Sequence, residues 1–183
     1  MQRLLPMGAA GRTWHRRGVA RVVIVGNSGS GKSTLAGRLA QRGLAHLDLD
    51  VLAWQPVTPP ARRALADSVA EMAAFLDAHA GWVVEGCYGD LAAAVLPRAT
   101  QLVLLNPGVE ACIANARLRP WEPHKYASRE AQDRSLAMLI GWIRDYDARG
   151  DACSLAAHRA LFDGFAGDKR ELTTREAIAA YSG

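Results

Sequence analysis

The sequence predicts an α/β layer fold built on a parallel sheet, and two observations predict it. Short apolar or β-branched runs alternate with longer segments of helical period along nearly the whole chain, as strands joined by crossover helices do. One junction, Gly26-Asn27-Ser28-Gly29-Ser30-Gly31-Lys32-Ser33-Thr34, matches G-x-x-x-x-G-K-[ST], a phosphate-cradling loop that belongs between a strand and a helix. The length of 183 residues suits one domain with a real core, since a domain of this size buries roughly 70% of its unfolded surface.

Along the chain, Arg21-Val22-Val23-Ile24-Val25 is a β-branched run suited to a buried parallel strand, and the segment from Thr34 to Ala40 places leucines four apart, as a packed helix does. The stretch from Ala45 to Asp50 reads as a second strand ending in two carboxylates. Thr58-Pro59 reads as a helix start, cap followed by proline, with Leu65, Val69, Met72 and Leu76 as the apolar stripe and Gly81 as the stop. Trp82-Val83-Val84-Glu85 and Gln101-Leu102-Val103-Leu104-Leu105 are the third and fourth strands. Asn106-Pro107-Gly108 turns into a helix from about Val109 to Arg119, halted by Pro120. A polar stretch then leads to a long helix carrying Leu136, Leu139, Ile140 and Ile143. Ser154 caps a further helix to about Phe165, the segment from Lys169 to Leu172 reads as an edge strand, and Thr173-x-x-Glu176 is a capping box for the last helix.

The net charge of +4 is unevenly distributed. Arg3, Arg12, Arg16, Arg17 and Arg21 meet no acid among the first 21 residues, which leaves 17 basic against 18 acidic side chains in the remainder. That body gives no electrostatic reason to expect nucleic acid as a partner. Residues 1–20 show no sustained period and no signal-peptide core, and read as a disordered basic extension to a domain spanning 21–183. No apolar run approaches the ~20 residues that cross a bilayer. Cys87, Cys112 and Cys153 are odd in number and lack C-x-x-C spacing, so they suit a reducing cytoplasm better than a disulfide framework or a zinc site.

The loop defines the chemistry. Glycines let the backbone curl around phosphates with N–H groups inward, and the helix start adds positive dipole. Gly26, Asn27, Ser28, Gly29, Ser30, Gly31, Lys32, Ser33 and Thr34 are therefore the expected nucleotide-binding residues. Lys32 can reach the β- and γ-phosphates and the Ser33 hydroxyl can ligate Mg²⁺. Asp48 and Asp50 fall at the carboxyl end of the second strand, the edge where the loop also lies. Carboxylates there can hold Mg²⁺ and orient an acceptor hydroxyl. Glu85 ends an apolar strand, the Walker B pattern, and completes the expected metal set of Ser33, Asp48 and Glu85. Gly86 and Gly89 leave room for an acceptor to approach the backbone. Arg117 and Arg119, before a proline-bounded loop that continues to His124 and Lys125, are the cations a phosphate lid needs, with Arg119 the expected catalytic one beside Lys32 and Asp50.

With the GNSGSGKST loop, the HLDLD segment and the WVVEGCY segment in that order, the chain resembles the small P-loop kinases of the adenylate kinase, gluconate kinase and shikimate kinase group. The resemblance runs from about Arg21 to Leu172. It is nearest to bacterial proteins described as topology-modulation-like or shikimate-kinase-like P-loop ATPases, which share GxxGSGKSTLA, an HLD segment closing on a tryptophan, and WVxxGxY, here at 26–36, 46–54 and 82–88. The resemblance implies a three-layer P-loop NTPase fold, a five-stranded sheet in order 2-3-1-4-5 and a small helical lid at about 117–130. It implies ATP and Mg²⁺ as cofactors, D-x-D acids serving Mg²⁺ and the acceptor, and an R-P arginine at Arg119 meeting the ATP phosphates. Arg144, with Tyr146 nearby, resembles a substrate-binding arginine. The chain departs from shikimate kinases at Glu85-Gly86-Cys87, where they carry a glycine triplet, and lacks the D-G-x-P-R of nucleoside monophosphate kinases. The expected activity is ATP-dependent phosphorylation of a small hydroxylated or phosphorylated metabolite. A nucleotide-dependent regulator or slow ATPase without an acceptor is the alternative, which the D-x-D pair disfavours.

Overall fold

The structure is a computed structural model that describes residues 19–57, 61–122 and 127–183. The phosphate-loop half comprises β1 (Arg21–Gly26), α1 (Lys32–Ala40), β2 (Ala45–Asp48), α2 (Asp50–Ala53), β3 (Trp54–Gln55) and β4 (Ala61–Arg62). Then come α3 (Leu65–Ala78), β5 (Trp82–Gly86), α4 (Gly89–Val95), β6 (Gln101–Leu105) and α5 (Val109–Arg117). The chain closes with α6 (Arg129–Arg144), α7 (Leu155–Gly164), β7 (Asp168–Leu172) and α8 (Arg175–Ala180).

Five strands form a parallel sheet in the order β2-β5-β1-β6-β7. Counted among themselves these strands run 2-3-1-4-5. The labels depart from the expected order only because β3 and β4, a separate antiparallel ribbon, take numbers of their own. The β-branched run explains the central strand. Val22, Val23, Ile24 and Val25 are all fully buried, and the period of two sends alternate residues to opposite faces. Val22 and Ile24 pack with Leu35 and Leu39 of α1 and Ile178 of α8, whereas Val23 and Val25 pack with Leu52, Met72 and Leu91 of α2, α3 and α4. Two cores, one on each face, make the expected three-layer α/β fold. A third cluster joins Cys112, Ile113 and Ala116 of α5 to Ile143 of α6.

Several local expectations are corrected. Thr58 and Pro59 lie outside the described residues, and the helix they were expected to open begins at Leu65, preceded by the ribbon pair Gln55 and Ala61. Leu65 is exposed, and buried Ser68 takes the inward position, its hydroxyl donating to the Leu52 carbonyl at 2.7 Å. The second strand stops at Asp48, because its carboxylate accepts the Asp50 N–H at 2.9 Å and turns the chain into α2. The last helix is capped by Thr174, one residue beyond the expected Thr173, with its hydroxyl accepting from Ala177 N at 3.0 Å. Ser154 caps α7 as expected, at 3.1 Å from Ala157 N. Residues 1–18 of the basic extension and 123–126 of the expected lid lie outside the described residues. Among the described residues no helix is long and apolar enough to cross a membrane.

Candidate active site

The central strand delivers the phosphate loop to the carboxyl edge of the sheet, and α1 starts at Lys32. Gly31 sits at the helix cap with φ 97° and ψ 14°, where an L side chain is strained. Gly29 has φ 76°, and a Cβ there would lie 2.3 Å from the carbonyl oxygen of Cys112, so conformation and space both demand glycine. No side chain caps the start of α1, which leaves its first-turn N–H groups for an anion in the cleft. Lys32 is 9% exposed, and its Nζ arches back to donate to the Asn27 carbonyl at 2.9 Å. Asn27, almost wholly buried, anchors the loop by donating from Nδ2 to the Ile143 carbonyl at 2.9 Å. Asn115 of α5 holds the other side through a 2.8 Å bond to the Gly29 carbonyl. The loop is thus braced by α5 and α6 before any ligand arrives.

The carboxylates lie beside it. Asp48 and Glu85 are register partners on adjacent parallel strands. Glu85 is 2% exposed and its Oε1, 3.6 Å from His46 Nε2, has no hydrogen-bond partner. Burial pushes its carboxyl up, yet His46, the Lys32 ammonium and the Ser33 hydroxyl together hold it below the usual range. A buried, ionised carboxylate with an unbonded oxygen near a hydroxyl fits a hard divalent cation that keeps several waters and shares phosphate oxygens. Ser33, Asp48 and Glu85 therefore suit Mg²⁺ as a donor set. Asp50 opens α2, where its Oδ1 accepts from the Tyr88 hydroxyl at 2.6 Å.

A cleft of about 650 Å³ gathers loop residues 28–34 with Asp48, Asp50, Glu85 and Arg119. Arg119 pairs with Glu122 at 3.3 Å, both partly exposed. Gly26 and Asn27 support the loop from beneath and do not line the cleft. Arg117 is exposed and borders a separate hollow with Arg129 and Gln132 of α6, so the structure does not bring it to the cleft wall. Gly86 lines the cleft, and a Cβ there would lie 2.8 Å from that of Leu49, whereas Gly89 lies off the cleft wall and a Cβ there would lie 2.5 Å from the Ala152 carbonyl oxygen. Arg144 is exposed, and Tyr146 is buried with its hydroxyl 2.7 Å from His158 Nδ1. Sequence reasoning missed Arg38, Asn115 and Arg175, which line the cleft from three helices. Arg175 donates to the Asn115 side chain and so extends the brace on Gly29. The three cysteines are free thiols.

No family model and no curated protein matches the chain. Among solved structures, it superposes on TT1252 from Thermus thermophilus with a TM-score of 0.52 at 18% identity, covering 88% of this chain and 93% of that one. A sugar kinase from a Janibacter species gives 0.49 at 15% identity, over 88% and 91%. Shikimate kinase from Acinetobacter baumannii in complex with shikimate gives 0.47 at 18% identity, over 88% of each chain. Fold and loop together define a P-loop NTPase fold, a five-stranded parallel sheet with its phosphate loop after the central strand.

Proposed function

We propose that the protein is a phosphotransferase that moves the γ-phosphate of Mg-ATP onto a hydroxyl of a small hydroxylated or phosphorylated metabolite. The observation that carries this reading is Asp50, a further carboxylate on the cleft wall that holds the phosphate loop, Asp48 and Glu85. A bare nucleotide hydrolase needs no such additional acid. The cleft volume of about 650 Å³ lies within the usual range for small-molecule sites.

In this reading the first-turn N–H groups of α1 and the Lys32 ammonium bind the β- and γ-phosphates. Bound Mg²⁺, held by Ser33, Asp48 and Glu85, would neutralise charge on those oxygens. Asp50 takes the proton of the acceptor hydroxyl as that oxygen bonds to the γ-phosphorus and the bond to the bridging oxygen of ADP breaks. General-base assistance of this kind is worth roughly 10²–10⁴ in rate. Arg119 stabilises the charge on the transferring group after leaving Glu122, its partly exposed partner. The near-neutral body and the free thiols support a cytoplasmic small-molecule enzyme rather than a nucleic-acid partner.

The test is a coupled ADP-release assay of purified protein with Mg-ATP and D-gluconate, shikimate or nucleoside monophosphates, with mass spectrometry of the product. A phosphorylated acceptor supports the reading. ATP turnover that no acceptor stimulates would move the protein to the alternative, a slow ATPase or nucleotide-dependent regulator.

A further inference from the structure

We infer that Tyr88, itself held by Trp54, is the positioning residue that fixes the Asp50 carboxylate for the acceptor hydroxyl; this rests on the phosphotransferase reading above. The Trp54 indole Nε1 donates to the Tyr88 hydroxyl oxygen at 2.7 Å, and the Tyr88 hydroxyl donates to Asp50 Oδ1 at 2.6 Å. An indole N–H is a donor only, so the phenol must receive from Trp54 and give its own proton to the carboxylate. The direction of the chain is therefore fixed. The second bond is charge-assisted and short, the strong kind.

Both ends of Asp50 are tethered. Its backbone N–H is held by Asp48 Oδ1 at 2.9 Å and its side chain by Tyr88. The phenol ring is in turn clamped. It is 6% exposed, and the Arg62 guanidinium lies 4.6 Å from its centroid, fixed by a 2.8 Å bond to Asp90. Burial raises the Tyr88 phenol well above its ordinary range, followed by the negative charges around it, so it stays protonated and able to donate. Packing alone would be served by phenylalanine. The hydroxyl is the part that packing does not require, and it is directed at the one carboxylate assigned to the acceptor. Trp54 is 43% exposed; its N–H bond gives a surface indole a defined orientation. A carboxylate free to rotate would present the wrong oxygen or angle to the hydroxyl for much of the time, and small misplacements in such sites cost up to about 10²-fold in rate.

Tyr88→Phe removes only the hydroxyl and keeps the ring beneath Arg62. We expect Mg-ATP affinity by calorimetry to stay within about twofold, while single-turnover transfer of γ-phosphate falls roughly 10- to 100-fold. D-gluconate, shikimate and AMP are the acceptor probes, with water as the acceptor if none is phosphorylated. Trp54→Phe should give part of the same loss. In an Asp50→Asn background, Tyr88→Phe should cost less than about twofold more, because the group it positions is already disabled. Independently of turnover, the Tyr88 signal of protein labelled with ¹³Cζ-tyrosine should move on Asp50→Asn, and the Trp54 indole ¹H–¹⁵N signal should move on Tyr88→Phe. Tyr88→Phe at the parent rate, or losses that multiply independently in the double variant, would overturn the assignment. Turnover without the NMR couplings would overturn this role alone. NMR couplings in a protein with no ATP turnover would instead overturn the phosphotransferase reading, and the role with it.

Discussion

Lowering the pH should destabilise the fold around His158, because His158 is folded in its neutral form. His158 is fully buried. Its Nε2 lies 3.0 Å from the Cys87 carbonyl and its Nδ1 2.7 Å from the Tyr146 hydroxyl. A carbonyl only accepts, so Nε2 carries the proton and Nδ1 accepts from Tyr146. Burial is the leading cause that pushes its pKa from 6.5 down to about 4, against the pull of the Cys87 carbonyl. With the folded value below the unfolded one, the unfolded chain binds more protons between them. The contribution to stability is complete above pH 6.5 and is lost as the pH falls to 4. At 1.36 kcal/mol per pKa unit the whole gap is worth about 3 kcal/mol, of which about 2 kcal/mol is lost between pH 7 and 5. Urea unfolding of the parent and His158→Gln at pH 7, 6, 5 and 4 reads this directly. The variant should be less stable at pH 7 and lose about 2 kcal/mol less on going to pH 5, other titrating groups cancelling between the two proteins. Parallel stability curves would refute the argument.

Lys32→Ala should weaken Mg-ATP binding at least tenfold by calorimetry while leaving the far-ultraviolet circular dichroism of the fold intact, since Ser30 N still bonds the Asn27 carbonyl at 3.2 Å. Arg119→Ala should lower single-turnover phosphate transfer by roughly 10³, whereas Arg117→Ala, away from the cleft wall, should change it less than about threefold. Gly29→Ala should destabilise the fold by more than about 2 kcal/mol in urea unfolding and weaken ATP binding, because the new methyl meets the Cys112 carbonyl at 2.3 Å on a backbone with φ 76°.

The sequence makes the central strand, the loop and α1 legible because their signals are local. β-Branched residues at successive positions favour a strand buried on both faces, and the loop motif belongs directly before a helix. Asp48, Asp50 and Glu85 are legible for the same reason, as acids at the ends of strand-like runs. The features that escape are set by tertiary contact. The ribbon of β3 and β4 has two residues on each side, too short for any period. The helix α4 begins at Gly89, a residue that reads as a breaker and is there because Ala152 presses on it. Arg117 and Arg119 both border the hollow against α6, yet Arg119, past the end of α5, also reaches the cleft wall, a difference set by how the chain leaves the helix. Asn115 and Arg175 come together from segments 60 residues apart, and nothing in either segment announces the other. Tyr88 reads as one residue of a motif; its bond to Asp50, 38 residues away, exists only in the fold.

The most direct test of the central claim is Asp50→Asn, measured by Mg-ATP calorimetry and by single-turnover γ-phosphate transfer to the acceptor found by screening. The amide keeps the shape of the side chain and loses the charge that accepts the proton. Affinity for Mg-ATP should stay within a few fold while transfer falls by roughly 10²–10⁴, about 3–5 kcal/mol of barrier. Transfer at the parent rate in Asp50→Asn, with Glu85→Gln inactive, would contradict the account and leave Asp50 a structural partner of Tyr88 on a nucleotide hydrolase.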